Sequence, residues 1–203
     1  MINNLSLIKN FIMSDTLHEN KNFSDINYSG KNVTNREFLN CNFLNCDLSS
    51  SDFSNSDFSS CVFTNCNLSL LVLEDVALNE VKFVDCKMTG IDFSVCNKYI
   101  FTVEFVNSYI DLSSFYGMKV NKTTFSECSL KEVDFEEADF RESTFINCDF
   151  MRANFMHTNL EKCDFRTSYD FSIDPATNRL KNAKFSKSEI MGLLDSYQII
   201  VEL

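Results

Sequence analysis

From Phe23 onward a large apolar side chain returns at every fifth residue. The series runs Phe23, Tyr28, Val33, Phe38, Phe43, Leu48, Phe53, Phe58, Phe63, Leu68, Leu73, Leu78, Phe83, Met88 and Phe93. It slips by two residues at 97–99 and resumes as Ile100, Phe105, Ile110, Phe115, Val120, Phe125, Leu130, Phe135, Phe140, Phe145, Phe150, Phe155, Leu160 and Phe165. Of the 21 Phe residues, 17 lie on these 29 centres. Helices repeat every 3.6 residues and strands every two, so a period of five demands another shape.

Over 41–66 and 128–163 the residue two before each centre is small: Cys41, Cys46, Ser51, Ser56, Cys61, Cys66, Cys128, Val133, Ala138, Ser143, Cys148, Ala153, Thr158 and Cys163. The other three are mostly Asn, Asp, Ser, Thr, Glu, Lys or Arg. A unit with one large and one small inward side chain packs only if the chain turns at every unit. Four such units close a square coil of about 20 residues, and coils stack at the ~4.8 Å spacing of β-strands, which makes roughly seven coils a rod of about 35 Å. Phe43, Phe53, Phe63, Phe125, Phe135, Phe145 and Phe155 are among the expected core centres. With only 4 Gly and 1 Pro, sandwiches and doubly wound folds lack their turn residues, and the corners must be built from Asn, Asp and Ser.

This pattern resembles the pentapeptide-repeat family, whose consensus is a small residue, Asp or Asn, Leu or Phe, Ser or Thr, then a variable residue. CDLSS at 46–50, SDFSN at 51–55, ADFRE at 138–142 and CDFRT at 163–167 match it directly. The resemblance implies an all-β, right-handed quadrilateral β-helix over residues 21–171. An N-terminal capping segment is expected at 1–20, where Leu5, Ile8 and Ile12 share a helical face. Residues 172–203 read as a partial coil, a short α-helix and a tail: Asp174-Pro175 marks a turn, Ser186 and Glu189 have capping-box spacing, and Ile190, Leu193, Leu194 and Tyr197 fall on one face, which serves either as a lid on the coil end or as a twofold dimerisation interface.

The nine cysteines all occupy the small inward phase, so packing is expected of them rather than zinc or disulfides, although Cys41, Cys46, Cys61 and Cys66 have metal-like spacing. No metal or other cofactor is expected. His18, in the N-terminal segment, and His157, at an outward position, read as solvated histidines. No Gly-rich phosphate loop or Ser/His/Asp set accompanies them, and a lumen filled with Phe leaves no room for substrate, so the chain is not expected to be an enzyme.

The net charge is -11, with no basic stripe, so no direct nucleic-acid binding is expected and a charged partner should be basic. No membrane span and no secretory leader are expected, and the reading is a cytoplasmic protein. The candidate partner-binding residues are acids and the bulge: Asp47, Asp52, Asp57, Lys98, Tyr99, Glu132, Asp134, Glu136, Glu137 and Asp139. Stepping by 20 places Glu142 between Lys122 and Lys162, and Glu132 beneath Arg152. For most single acids, solvation of a rod explains the residue. The outline as a whole says more. Two rods end to end span about 70 Å, over which duplex DNA carries about 40 phosphates. A dimer carries twice -11, or -22.

The tail SIDPATNRLKNAKFSKSEIMGLLDSYQI resembles that of the Qnr-type fluoroquinolone-resistance proteins within the family. This implies a homodimer through Ile190, Met191, Leu194, Tyr197, Ile199 and Val201, and binding to DNA gyrase and topoisomerase IV as a DNA-like rod that shields them from quinolones. The sequence departs from that group in having only the two-residue slip where members carry larger loops. Two alternatives stand beside this one: immunity against a gyrase-targeting toxin, and a general interaction scaffold with no topoisomerase partner.

Overall fold

The computed structural model describes residues 15–200, and it is a quadrilateral β-helix of parallel coils. Ten strands carry two adjacent sides: β1 (Leu17–Glu19), β2 (Asn22–Ser24), β3 (Glu37–Leu39), β4 (Asn42–Leu44), β5 (Asp57–Ser59), β6 (Val62–Thr64), β7 (Ala77–Val84), β8 (Phe101–Val106), β9 (Thr124–Ser126) and β10 (Thr144–Ile146). Each pairs in parallel with strands one coil away, as in Phe38↔Phe58 and Phe43↔Phe63. On the other two sides the coils meet through single bridges such as Asp47↔Asn67 and Asp52↔Val72. We number the sides in chain order, so that His18, Phe23, Tyr28 and Val33 begin sides one to four.

Stepping by one coil superposes like on like in the lumen. Side two is a column of phenylalanines alone: Phe23, Phe43, Phe63, Phe83, Phe105, Phe125, Phe145, Phe165 and Phe185 stack with centroids 4.4 to 5.3 Å apart. Offset stacking at this distance is favourable beyond simple burial. Phe53, Phe135 and Phe155 fill the opposite side, and with Phe43, Phe63, Phe125 and Phe145 they are all buried.

The small inward position does a second job. Ser51 Oγ donates to Tyr28 O at 2.6 Å, Thr158 Oγ1 to Phe135 O at 2.9 Å and Cys163 Sγ to Phe140 O at 2.9 Å. Thiol and hydroxyl thus satisfy the same kind of corner carbonyl, which a buried chain must pair. All nine cysteines are buried. Burial pushes the Cys61 thiol up to about 11 and that of Cys163 up to about 12, which is the wrong direction for a nucleophile.

Most corners turn on a residue in the left-handed region, two after the centre; those after Phe93 and Phe165 are among the exceptions. In the first coils this is mostly Asn, Asp, Ser or Gly, as at Asn40 (φ 51), Asp75 (φ 54) and Ser60 (φ 52). Higher up, long side chains stand there, including Glu127, Glu132, Glu137, Glu142 and Lys162. A left-handed residue other than Gly, Asn or Asp costs roughly 1 kcal/mol.

Four sequence expectations need correction. The coil begins before residue 21: β1 pairs with β3, and His18 sits on a centre, opposite Phe38. His18 is therefore buried, with its ring stacked 4.9 Å from Phe38, rather than solvated. Past the slip the centre is Phe101, not Ile100: Phe101 pairs with Leu78 and rests on the core, while Ile100 is exposed. A register shift inside the β7–β8 pair, between Leu78 and Val81, restores Phe105 above Phe83. Finally, the C-terminal helix is two 3-10 turns, Ile190–Leu193 and Asp195–Tyr197, instead of an α-helix. The Gly192 carbonyl, which an α-helix would use internally, accepts Ile173 N–H at 2.9 Å and ties the tail to the coil end. Ser186 Oγ still accepts Glu189 N–H at 3.2 Å, as the capping spacing implied. The expected cap residues Leu5, Ile8 and Ile12, and the interface residue Val201, lie outside the described residues.

Candidate functional site

With side chains filling the lumen, chemistry on this rod belongs to its outer faces, and the ladder decides which outward residues share a face. The expected partner-binding acids divide among three sides. Asp47 and Glu132 belong to side three, where Asp47, Asn67, Lys87, Tyr109, Ser129 and Asp149 form one bridged column. Asp57 and Asp139 belong to side one, Asp57 opposite Glu37 and Asp139 opposite Lys119. Asp52, Asp134, Glu136 and Glu137 belong to side four, in the column Asn32, Asp52, Val72, Asp92, Ser114, Asp134 and Asn154 and the positions following it.

Side four therefore gathers more acid than was singled out. From the Asp52 coil to the Asn154 coil, its outward positions hold Asp52, Glu74, Asp75, Asp92, Asp134, Glu136 and Glu137, and no Lys or Arg. The other sides mix signs, with Lys87 and Lys131 on side three and Lys119 and Arg141 on side one. Glu74, Asp75 and Asp92 were missed although a count in steps of 20 would have found them.

Local bonding orients part of this surface. Asp52 Oδ1 accepts Ser54 N–H at 2.9 Å, and Asp134 Oδ1 accepts Glu136 N–H at 3.1 Å and Asn154 Nδ2–H at 2.9 Å. These carboxylates close turns and still keep a charged edge toward solvent. Asp47 does the same on its side through Ser49, whereas Asp139 closes its turn through Arg141 N–H and is paired with the Arg141 guanidinium at 2.7 Å. Glu137 lies beside Tyr116 of the coil below and pushes that phenol's pKa upward. The ion pairs expected elsewhere are formed: Glu142 bonds Lys162 at 2.9 Å and reaches Lys122 at 4.0 Å, and Glu132 bonds Arg152 at 2.9 Å. They neutralise their corners, whereas the side-four acids form no ion pair among the described residues.

The bulge sits at the edge between sides four and one. Asn97 Oδ1 accepts Tyr99 N–H at 3.0 Å and turns the chain outward, leaving Tyr99 97% exposed beside exposed Lys98. At the coil end, Ile190, Met191, Tyr197 and Ile199 are exposed, Leu194 is half-buried, and Leu193 packs against the core. Gly192 allows this seating, because a Cβ there would fall 2.0 Å from Phe171 O.

A family model described as "Pentapeptide repeat region" matches residues 36–115 and 118–193. Among solved structures, a trypsin-treated variant of QnrB1, a plasmid-mediated fluoroquinolone resistance protein, superposes with a TM-score of 0.70 at 18% identity, covering 92% of this chain and 97% of that one. A second trypsin-treated QnrB1 variant gives 0.60 at 19% identity over the same shares. HetL, a pentapeptide repeat protein involved in heterocyst differentiation regulation from the cyanobacterium Nostoc sp., gives 0.34 at 14% identity, covering 91% and 95%. No curated protein matches the chain.

Proposed function

The chain belongs to the pentapeptide-repeat family, and from that premise we propose that it is a protein-binding rod that docks, as an end-to-end dimer, on the DNA-handling surface of DNA gyrase and of topoisomerase IV, shielding them from quinolones.

One observation carries the reading, namely that from the Asp52 coil to the Asn154 coil side four presents seven carboxylates and no Lys or Arg. From the Asp52 row to the Asp134 row there are four coil rises, about 19 Å, which hold the seven acids at about one per 3 Å. A single strand of B-DNA carries one phosphate per 3.4 Å. A cationic saddle shaped for a duplex backbone thus meets a comparable line of charge on this face. The bulge residues Lys98 and Tyr99 flank that face, where they can add contacts that charge alone does not supply. The likeness in fold to a resistance protein supports the choice of target, and the exposed apolar end formed by Ile190, Met191, Tyr197 and Ile199 supports the twofold junction. Such rods act by binding; catalysis is no part of the reading.

A supercoiling assay with purified gyrase, with and without ciprofloxacin, tests it. Restored supercoiling in the presence of drug is the expected result. Inhibition alone would leave mimicry without protection, and no effect at any protein concentration would refute the proposal.

A further inference from the structure

The edge between sides three and four carries apolar side chains that the core does not use. Ser50, Leu70, Gly90, Leu112, Glu132 and Arg152 follow one another up this edge, held by Leu70 N–H to Thr89 O at 3.0 Å, Gly90 N–H to Asp111 O at 2.9 Å and Leu112 N–H to Lys131 O at 2.9 Å. Leu70 and Leu112 are each 59% exposed, at φ of 58° and 60°. Most other corners of the lower coils use Asn, Asp, Ser or Gly at this phase, so turning the chain does not call for leucine. Between the two leucines a Cβ at Gly90 would come within 2.8 Å of Leu70 Cδ2. The glycine lets Leu70 lie flat along the rod and leaves a shallow apolar strip. Val72, exposed on side four, widens it. Along the same rows stand Glu74, Asp75 and Asp92, with Asp134 one coil above Leu112.

We propose that the Leu70–Gly90–Leu112 strip and the adjoining carboxylates of side four form one docking surface for a basic amphipathic segment of a partner protein. Its aliphatic side chains lie against the strip while its Lys and Arg residues meet Glu74, Asp75, Asp92 and Asp134. The inference rests on the acidic-face reading above and adds to it an apolar anchor. Charge selects the occupant: anionic lipid and nucleic acid are repelled by this face, and a second copy of the chain would bring like charge against like. A cationic protein segment is attracted. Salt separates the two contributions, because ionic contacts are screened at high ionic strength while the apolar contact persists.

The test compares the full chain with Leu70→Asn/Leu112→Asn. Asn suits the left-handed region, so the fold should be kept, and a circular-dichroism melt checks this; Leu70→Ser/Leu112→Ser serves as the second variant. The probes are an amphipathic Lys/Leu peptide and a Lys/Ser peptide of the same length and charge. At about 0.5 M salt the wild type should bind the Lys/Leu peptide about tenfold more tightly than its Lys/Ser counterpart, and the variant should bind both alike. Equal affinities in the wild type, or a preference that survives the substitutions, would overturn the strip. Binding of anionic phospholipid vesicles by the wild type and its loss in the variant would overturn the choice of a protein segment. Gyrase supplies a separate arm. If it binds wild type and variant equally at all salt concentrations, the strip is overturned as part of that docking while the acidic face stands. If it binds neither while the peptide preference holds, the gyrase reading falls and the strip remains supported.

Discussion

Replacing Phe125 tests whether the rod is held by stacked rings or only by filled volume. Phe125 is fully buried, with Phe105 stacked 4.8 Å to one side and Phe145 5.1 Å to the other, and Phe115 and Phe140 at its edge 6.1 Å away. Phe125→Ala removes the ring and opens a cavity that neighbouring coils, fixed by their ladders, cannot close, so about 4 kcal/mol should be lost. Phe125→Leu keeps most of the apolar volume and loses two stacked pairs, worth about 1 kcal/mol each, so about 2 kcal/mol should be lost. Equilibrium urea unfolding followed by far-ultraviolet circular dichroism measures both, since the chain has no Trp. Each coil contacts only its neighbours, so the Ala variant should also part the coils below Phe125 from those above it, with hydrogen exchange rising around the gap before the ends melt. A loss under 1.5 kcal/mol for Ala, or a Leu variant as stable as wild type, would refute the stacked-column account.

Other perturbations reach other parts of the molecule. Glu127→Asn, at φ 57°, should raise stability by about 0.5–1 kcal/mol in the same urea assay, because Asn tolerates that backbone region better. For His18, burial first and then Lys21 lower its pKa below the usual value. The unfolded chain therefore binds the extra proton first, and stability should fall as pH drops below about 6.5. His18→Phe should remove that slope, and an unchanged pH profile would count against the buried assignment. Gly192→Ala forces a Cβ onto Phe171 O and should release the tail, seen as faster tryptic cleavage at Lys187 with the rod's melting unchanged. If the apolar end joins two rods, Leu194→Asp should halve the mass measured by light scattering, and an unaltered dimer mass would retire that junction.

The five-residue count located nearly the whole core because one physical demand, a large side chain per turn, repeats without interruption. It misplaced two centres for identifiable reasons. His18 is polar, and a pattern of apolar residues cannot announce a histidine that stacks on Phe38. At the slip, Ile100 and Phe101 are both apolar, and only pairing with Leu78 across the irregular β7–β8 junction chooses between them. The tail's form depends on Gly192 meeting Phe171, a contact between residues far apart in sequence, so local capping signals suggested an α-helix that the coil end prevents. The acidic face was partly legible. Runs of acid in sequence wrap around the rod, and only the 20-residue step separates the side-four carboxylates from Asp47, Asp57, Glu132 and Asp139.

The 22-residue coil shows how this architecture can vary. Two added residues at the Asn97 corner leave Phe105 stacked 5.3 Å from Phe83, as if nothing had been inserted. Corners are thus points where chain can be spliced in without disturbing the lumen. A grafted loop there would be presented at a chosen height on the rod, with its neighbours undisplaced.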